Sequence, residues 1–236
     1  MTHSRPFFAR PLVWIIALAA ALVIIAAIVG TRMYASSQNA SAPEEFLSDD
    51  VAEATDSTGS AAAGEIAGQW SVGEGSEAGY RVDEVLNGED VTVVGRTDDV
   101  TGDVTISGTA LTEGAVAVDL TTVTTDNSRR DGYFTSQAID TSTYPEATFT
   151  VAEAVDLSAL ADSGTAEIEI PGALEINGQS RETTATSTVS RTDSGLAVAG
   201  AIDVTWQDHG VTPPNLGFVS VEGSGVVEFS LALTRD

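Results

Sequence analysis

The sequence predicts an all-β domain held behind one N-terminal transmembrane helix. Three observations carry that expectation. From about Gly64 onward apolar and polar residues alternate with period two, dipeptides such as Asn87-Gly88 and Asn177-Gly178 punctuate the alternation, and the run Leu12 to Val29 contains no charge.

The run LVWIIALAAALVIIAAIV is long enough to cross a bilayer core of about 30 Å at a helical rise of about 1.5 Å per residue. Arg5 and Arg10 precede it, which by the positive-inside tendency sets the N-terminus in the cytoplasm and the rest of the chain outside. A cleaved signal peptide shares the basic start and apolar centre. Arg32, Met33 and Tyr34 interrupt the small-residue site that cleavage needs, and length also favours an anchor. The expected layout is a short cytoplasmic N-terminus over 1–11, the anchor over 12–30, a flexible acidic linker over 31–64 and the β-domain over 65–236. Treated as disordered coil, that linker reaches about 30 Å, with Phe46 and Leu47 as its candidates for a short docking contact.

Within the domain, Val116, Val118 and Leu120 alternate with Ala117, Asp119 and Thr121, and Phe149 and Val151 alternate with Thr148 and Thr150. Ile168 and Ile170 lie between glutamates; Ile202, Val204 and Trp206 oppose Asp203, Thr205 and Gln207; Val227, Phe229, Leu231 and Leu233 oppose Glu228, Ser230 and Thr234. Each strand thus has one apolar and one wet face. Thr101-Gly102, Glu113-Gly114 and Ser194-Gly195 add turn signals, for about eight strands in an antiparallel meander. No long helical period follows the linker, so no helix layer covers the sheet. It closes on itself as a barrel or packs on a second sheet, and a barrel leaves room for a ligand.

Composition removes several functions. Ten arginines and no lysine stand against 35 acidic residues, a net charge of -25 that repels nucleic acid and anionic headgroups alike. No cysteine is present, so disulfides, thiol catalysis and an N-terminal lipid-modified cysteine are excluded. His209 is the domain's one histidine, which rules out two-histidine metal sites there, and no G-x-S-x-G surrounds a serine. Strand parity from Trp206 sends His209 to the wet face. No calcium-loop pattern occurs, and no cofactor or metal is expected.

Against this acidic background, Thr124 to Phe149 contains the adjacent pair Arg129 and Arg130, then Asp131. A guanidinium fork suits phosphate or carboxylate, so Arg130 with Asp131 is a candidate headgroup contact, while an Arg-Asp pair before Gly132 also fits a structural turn. On extended backbone the two arginines point to opposite faces. Tyr133 to Ile139 reads as a short helix or loop over a barrel mouth, with Phe134 and Ile139 as its apolar contacts.

The ordered blocks resemble the YceI-like family. They are Trp70; Gly79-Tyr80-Arg81-Val82; the strand Gly102 to Ile106; Ser128-Arg129-Arg130-Asp131; Tyr144 to Phe149; Gly172 to Gly178 with Arg181; and Val204 to Val211. The resemblance covers the whole domain. It implies a lipocalin-like antiparallel barrel enclosing a long apolar ligand, since the family is known for binding polyisoprenoid lipids. The anchor departs from the soluble, secreted form of many members and suggests a tethered holder or short-range carrier.

The expected ligand pocket is the apolar stripe Val118, Leu120, Phe149, Val151, Leu174, Ile176, Ile202, Val204, Trp206, Phe229 and Leu231, with Phe134 and Ile139 at the mouth. The expected partner is an isoprenoid or another long-chain amphiphile, driven in at about 0.8 kcal/mol per buried methylene. The domain is expected outside the cytoplasm on a single-pass membrane protein, without catalysis. Two rival readings are a structural or adhesive envelope module with a filled core and a lipid-acting enzyme using His209.

Overall fold

The computed structural model describes residues 11–47 and 66–235. The short N-terminus expected before Pro11 and most of the acidic stretch after Leu47 lie outside these residues. The backbone is helical over Pro11–Ser41 (α1), which covers the apolar run and continues into the stretch expected as coil. Among the described residues no helix is long and apolar enough to cross a membrane, and most side chains of Leu12 to Val29 are not among them.

The β-domain begins with β1 (Gly68–Val72), β2 (Glu77–Leu86), β3 (Glu89–Thr97), β4 (Val100–Ser107) and β5 (Ala110–Asp119). After α2 (Ser128–Tyr133) and a π-helical turn at Phe134–Ala138 come β6 (Glu146–Val151), β7 (Val155–Asp156) and α3 (Ser158–Ser163). The long strands β8 (Thr165–Ile176), β9 (Gln179–Arg191) and β10 (Leu196–Thr205) follow, then a 3-10 turn at Trp206–His209, β11 (Val219–Val221) and β12 (Ser224–Arg235).

All pairings are antiparallel, and eight strands close a ring in the order β1, β4, β5, β6, β8, β9, β10, β12 and back to β1. β12 is shared between two neighbours. Its last residues pair with β1, Leu233 opposite Val72, while its earlier half pairs with β2, Phe229 opposite Ala78. At that second end the wall is continued by β2, β3 and β11, and the bridge between Arg96 and Thr124 joins β3 to the chain leaving β5. The extra strands arise because β2 and β3 form an added hairpin and β7 and β11 are too short to show alternation.

Two expected turns are hairpin turns with left-handed backbone: Asn87 and Asn177 each have φ of 53°, followed by Gly88 and Gly178 at 84° and 71°. Two others are not turns. Gly102 and Gly114 lie inside β4 and β5, where a Cβ would fall 2.3 Å from the Ala115 carbonyl oxygen and 2.9 Å from Val151 Cγ2. These glycines let neighbouring strands approach closely.

The core lies inside the ring. Ile170, Leu174, Ala185, Val189, Val198, Ile202, Leu231 and Leu233 are buried along the strands, as their alternation requires. At the end where β8 begins, Leu157 and the fully buried Leu160 of α3 fill the barrel.

Outside the barrel, the C-terminal part of α1 and the segment after it are docked on β2 and β3. Arg32 pairs with Glu89 at 3.2 Å; the Asn39 amide donates to the Asp90 carbonyl at 3.0 Å and accepts from Thr92 N–H at 2.9 Å. Further on, Arg81 donates to the Pro43 carbonyl and Arg96 to that of Glu44, and the Phe46 ring covers the Arg96 guanidinium at 3.9 Å. Phe46 is therefore a docking contact. Beneath this strap lies Glu228, only 3 % exposed although its position faces outward, holding Arg81 at 3.2 Å and Arg96 at 2.9 Å. Glu228 and Arg96 both lie opposite Gly79, whose missing side chain leaves the two room to meet across β2.

Candidate ligand-binding site

The barrel contains two apolar chambers that share lining residues. The outer, of about 520 Å³, opens at the end formed by β2, β11 and the α2 segment. The inner, of about 120 Å³ and lined by apolar atoms, reaches toward Leu157. Ala78, Val118, Ala147, Leu174 and Val227 line both, which places the two side by side within the barrel.

Period two places the lining. On β2, Ala78, Tyr80, Val82, Glu84 and Leu86 all face the outer chamber. The Tyr80 ring stacks on Phe134 at 5.3 Å and meets Trp206 edge-on at 6.3 Å. Burial pushes the Tyr80 phenol up from 10.0 to about 12, with the Arg130 guanidinium drawing it partly back. Phe134 is set by the π-helical turn, and Ile139, buried at 5 %, anchors the return of that segment.

The polar rim is built by α2. Asn127 accepts from Arg129 N–H at 3.0 Å and caps the helix, a signal readable in Asn127-Ser128. Because this segment is helical, the alternation expected for Arg129 and Arg130 does not apply. Arg130 lies between Asp126 at 2.5 Å and the buried Glu84 at 3.3 Å. Arg129 is exposed and lines the same mouth, with no ion pair among the described residues. Asp131 does not steady the Arg130 fork. It accepts from Thr125 N–H at 2.9 Å and Thr125 Oγ1 at 2.7 Å, and so fixes the turn into α2. Just past the mouth segment, the Ser142 and Thr143 hydroxyls hold the exposed Asp140 carboxyl below the usual carboxylate range.

Of the apolar residues expected at the pocket, Leu120, Phe134, Ile139, Ile176 and Trp206 line the outer chamber, Phe149, Val151, Ile202, Phe229 and Leu231 the inner one, and Val118 and Leu174 both. Val204 is the exception. It is buried in the wall and lines neither chamber; its partner across the sheet is Gly225, and the Trp206 ring lies over that glycine. His209 also departs from expectation. Trp206 to His209 leave the strand as a 3-10 turn, so parity fails, and the ring is buried with Nδ1–H donating to the Gln179 carbonyl at 3.0 Å. It lines neither chamber.

Alternation along Gly79 to Val82 identifies Tyr80 as an inward residue, although only its stack on Phe134 shows that its ring reaches the mouth. Leu216 and Phe218 were harder to read. They sit in the turn-rich stretch Pro213-Pro214-Asn215-Leu216-Gly217-Phe218, and both line the mouth together with Tyr34 of α1. A wider groove of about 890 Å³ lies on the outside, between Ala42 to Glu45 and the strands; its carboxylates, Glu44, Glu45, Asp83, Asp203 and Glu222, suit solvent.

A closed antiparallel barrel with an apolar cavity open at one end has the lipocalin-like architecture that can enclose a small molecule. The YceI-like domain matches residues 71–233, and the chain belongs to that family. A polyisoprenoid binding domain from Saccharophagus degradans, implicated in plant cell wall breakdown, is similar in structure at a TM-score of 0.57 and 21% identity, covering 71% of this chain and 98% of that one. Burkholderia cenocepacia BcnA is similar at a TM-score of 0.50 and 16% identity, covering 64% of this chain and 94% of that one. No curated relative matches the chain.

Proposed function

We propose that this chain is a membrane-anchored, extracytoplasmic protein that holds an isoprenoid or similar long-chain amphiphile, without catalysing a reaction on it. The observation that carries this reading is the mainly apolar outer chamber, about 520 Å³ and walled by Tyr80, Phe134, Trp206 and Leu174. That volume falls in the range of small-molecule sites, and an aliphatic chain entering it gains about 0.8 kcal/mol per buried methylene. The resemblance to the polyisoprenoid binding domain of Saccharophagus degradans supports the ligand class. The apolar run Leu12 to Val29 behind Arg5 and Arg10 supports the anchor and its orientation. Arg129, exposed at the rim, is positioned to meet a phosphate headgroup, whereas Arg130 already holds two carboxylates.

Native mass spectrometry and lipid extraction of the purified full chain test this. The expected result is a copurifying amphiphile and a rise in melting temperature with a long-chain polyprenyl phosphate, weakened severalfold in Arg129→Ala. A chain that brings no amphiphile and shows no thermal response to the polyprenyl phosphate sinks the binding reading.

A further inference from the structure

The lumen's mouth and the end of the apolar run lie close together along α1. Tyr34 lines the mouth, and only a few helical residues separate it from Val29; at about 1.5 Å per residue the axial distance is about 8 Å. The helix is not free to swing. Arg32 holds Glu89 beside the β2–β3 hairpin turn, and Asn39 makes two hydrogen bonds to β3. The same turn adjoins the β11 loop, where Asn87 N–H donates to the Phe218 carbonyl at 2.7 Å.

Large exposed apolar side chains gather at this end. Beyond the apolar run, those among the described residues are Met33, Tyr34, Tyr133, Tyr144, Leu216 and Phe218, and Tyr34, Tyr133, Leu216 and Phe218 line the mouth. Leu216 and Phe218 are 62% and 58% exposed. In water such a patch is unfavourable; in a bilayer's headgroup layer, about 5–7 Å deep on each side, tyrosine and other aromatic side chains are at home. Arg32 and Arg130 stand near this end already paired with Glu89 and with Glu84 and Asp126, which leaves Arg129, exposed at the mouth, as the guanidinium that phosphate groups would meet.

We propose that the barrel mouth rests on the bilayer that α1 crosses, with Leu216 and Phe218 seated in the headgroup layer, so that an amphiphile passes between leaflet and lumen without crossing water. This rests on the anchor proposed above and adds a direction to it. The opposite end, at the Ser194 turn between β9 and β10, then points away from the membrane.

The chain has no cysteine, so single nitroxide labels at Phe218→Cys, Leu216→Cys and Ser194→Cys report on one site each. The full chain is reconstituted in phosphatidylcholine and phosphatidylglycerol vesicles, floated after an alkaline carbonate wash, and its labels are measured for collision with oxygen and with a water-soluble nickel chelate. Labels at 218 and 216 are expected to meet oxygen severalfold more, and nickel severalfold less, than the label at 194. Vesicle-bound chain whose 218 and 216 labels are as open to nickel as the 194 label overturns the orientation while leaving the anchor standing. Chain that does not float overturns the anchor and this geometry with it. Lipid content of the floated chain is a separate readout, so a correctly oriented but empty barrel sinks only the binding reading.

Discussion

Aromatic rings in this barrel lie over glycines. A Cβ on Gly200 would stand 2.1 Å from Phe229 Cζ, one on Gly172 2.2 Å from Phe149 Cζ, one on Gly95 2.5 Å from Tyr80 Cε1 and one on Gly225 2.4 Å from Trp206 Cζ2. Each ring thereby occupies space at the wall that a neighbouring side chain would otherwise take, and the centre of the lumen stays open. Gly200→Ala is expected to cost about 1–3 kcal/mol by overpacking and to push Phe229 into the inner chamber. Denaturant unfolding reads the first effect, and a reduced thermal shift with polyprenyl phosphate the second. An unchanged unfolding midpoint would mean the ring yields freely. The buried Tyr80 phenol gives a pH signature. Its folded pKa, about 12, lies above the ordinary 10.0, so its contribution is full below pH 10.0 and is lost as pH rises toward 12. Melting temperatures across that window should fall less steeply in Tyr80→Phe than in the parent; identical slopes would mean the phenol titrates normally. None of these ring-on-glycine pairs was legible in the sequence. They depend on which strand lies beside which, as with Gly200 opposite Phe229, and alternation gives the face of a residue but not its partner.

At the scale of elements, the long strands were the readable part. Ile202 faces inward and Asp203 outward because a half-buried strand imposes that alternation, and the Asn-Gly hairpins formed where their left-handed backbone allows. What failed were places where local geometry changed without a local sequence signal. His209 turned inward because a 3-10 turn replaced the strand after Thr205, and α2 was too short for a helical period to show. Glu228 marks a third case. By alternation it belongs to the wet face, and it does lie there, yet the strap from Pro43 to Phe46 and the arginines on β2 and β3 bury it. With its charge removed, Arg81 and Arg96 lose their shared counter-charge and one of the two acceptor oxygens. Glu228→Gln is expected to destabilise the domain by about 3 kcal/mol, the low end for breaking a buried pair, since both guanidiniums keep some contact with water. Thermal unfolding measures it, and a melting temperature equal to the parent's would show that the strap, rather than the ion pair, holds these strands together.

For the whole molecule, closure followed from what the sequence lacked as much as from what it had. Strands with one apolar face and no helix layer leave an antiparallel sheet little choice but to bury that face in itself, and eight strands do so in a ring. The size of the lumen was not legible, because Val, Ile and Leu line a filled core and an open one equally well. The docked course of α1 was hidden by composition, since Thr31 to Ser41 is rich in small and polar residues that read as coil until Asn39 and Arg32 are seen against β3. That contact has one more consequence. Apart from the bridge at Arg96, β3 pairs only with β2 among the described residues, so its outer side is a sheet edge of the kind through which two proteins can join into a shared sheet. Asn39 occupies the Asp90 carbonyl and the Thr92 N–H on that side. Together with Thr124 at Arg96, Asn39 thus takes up hydrogen-bonding groups that a second chain would need to add a strand at this edge.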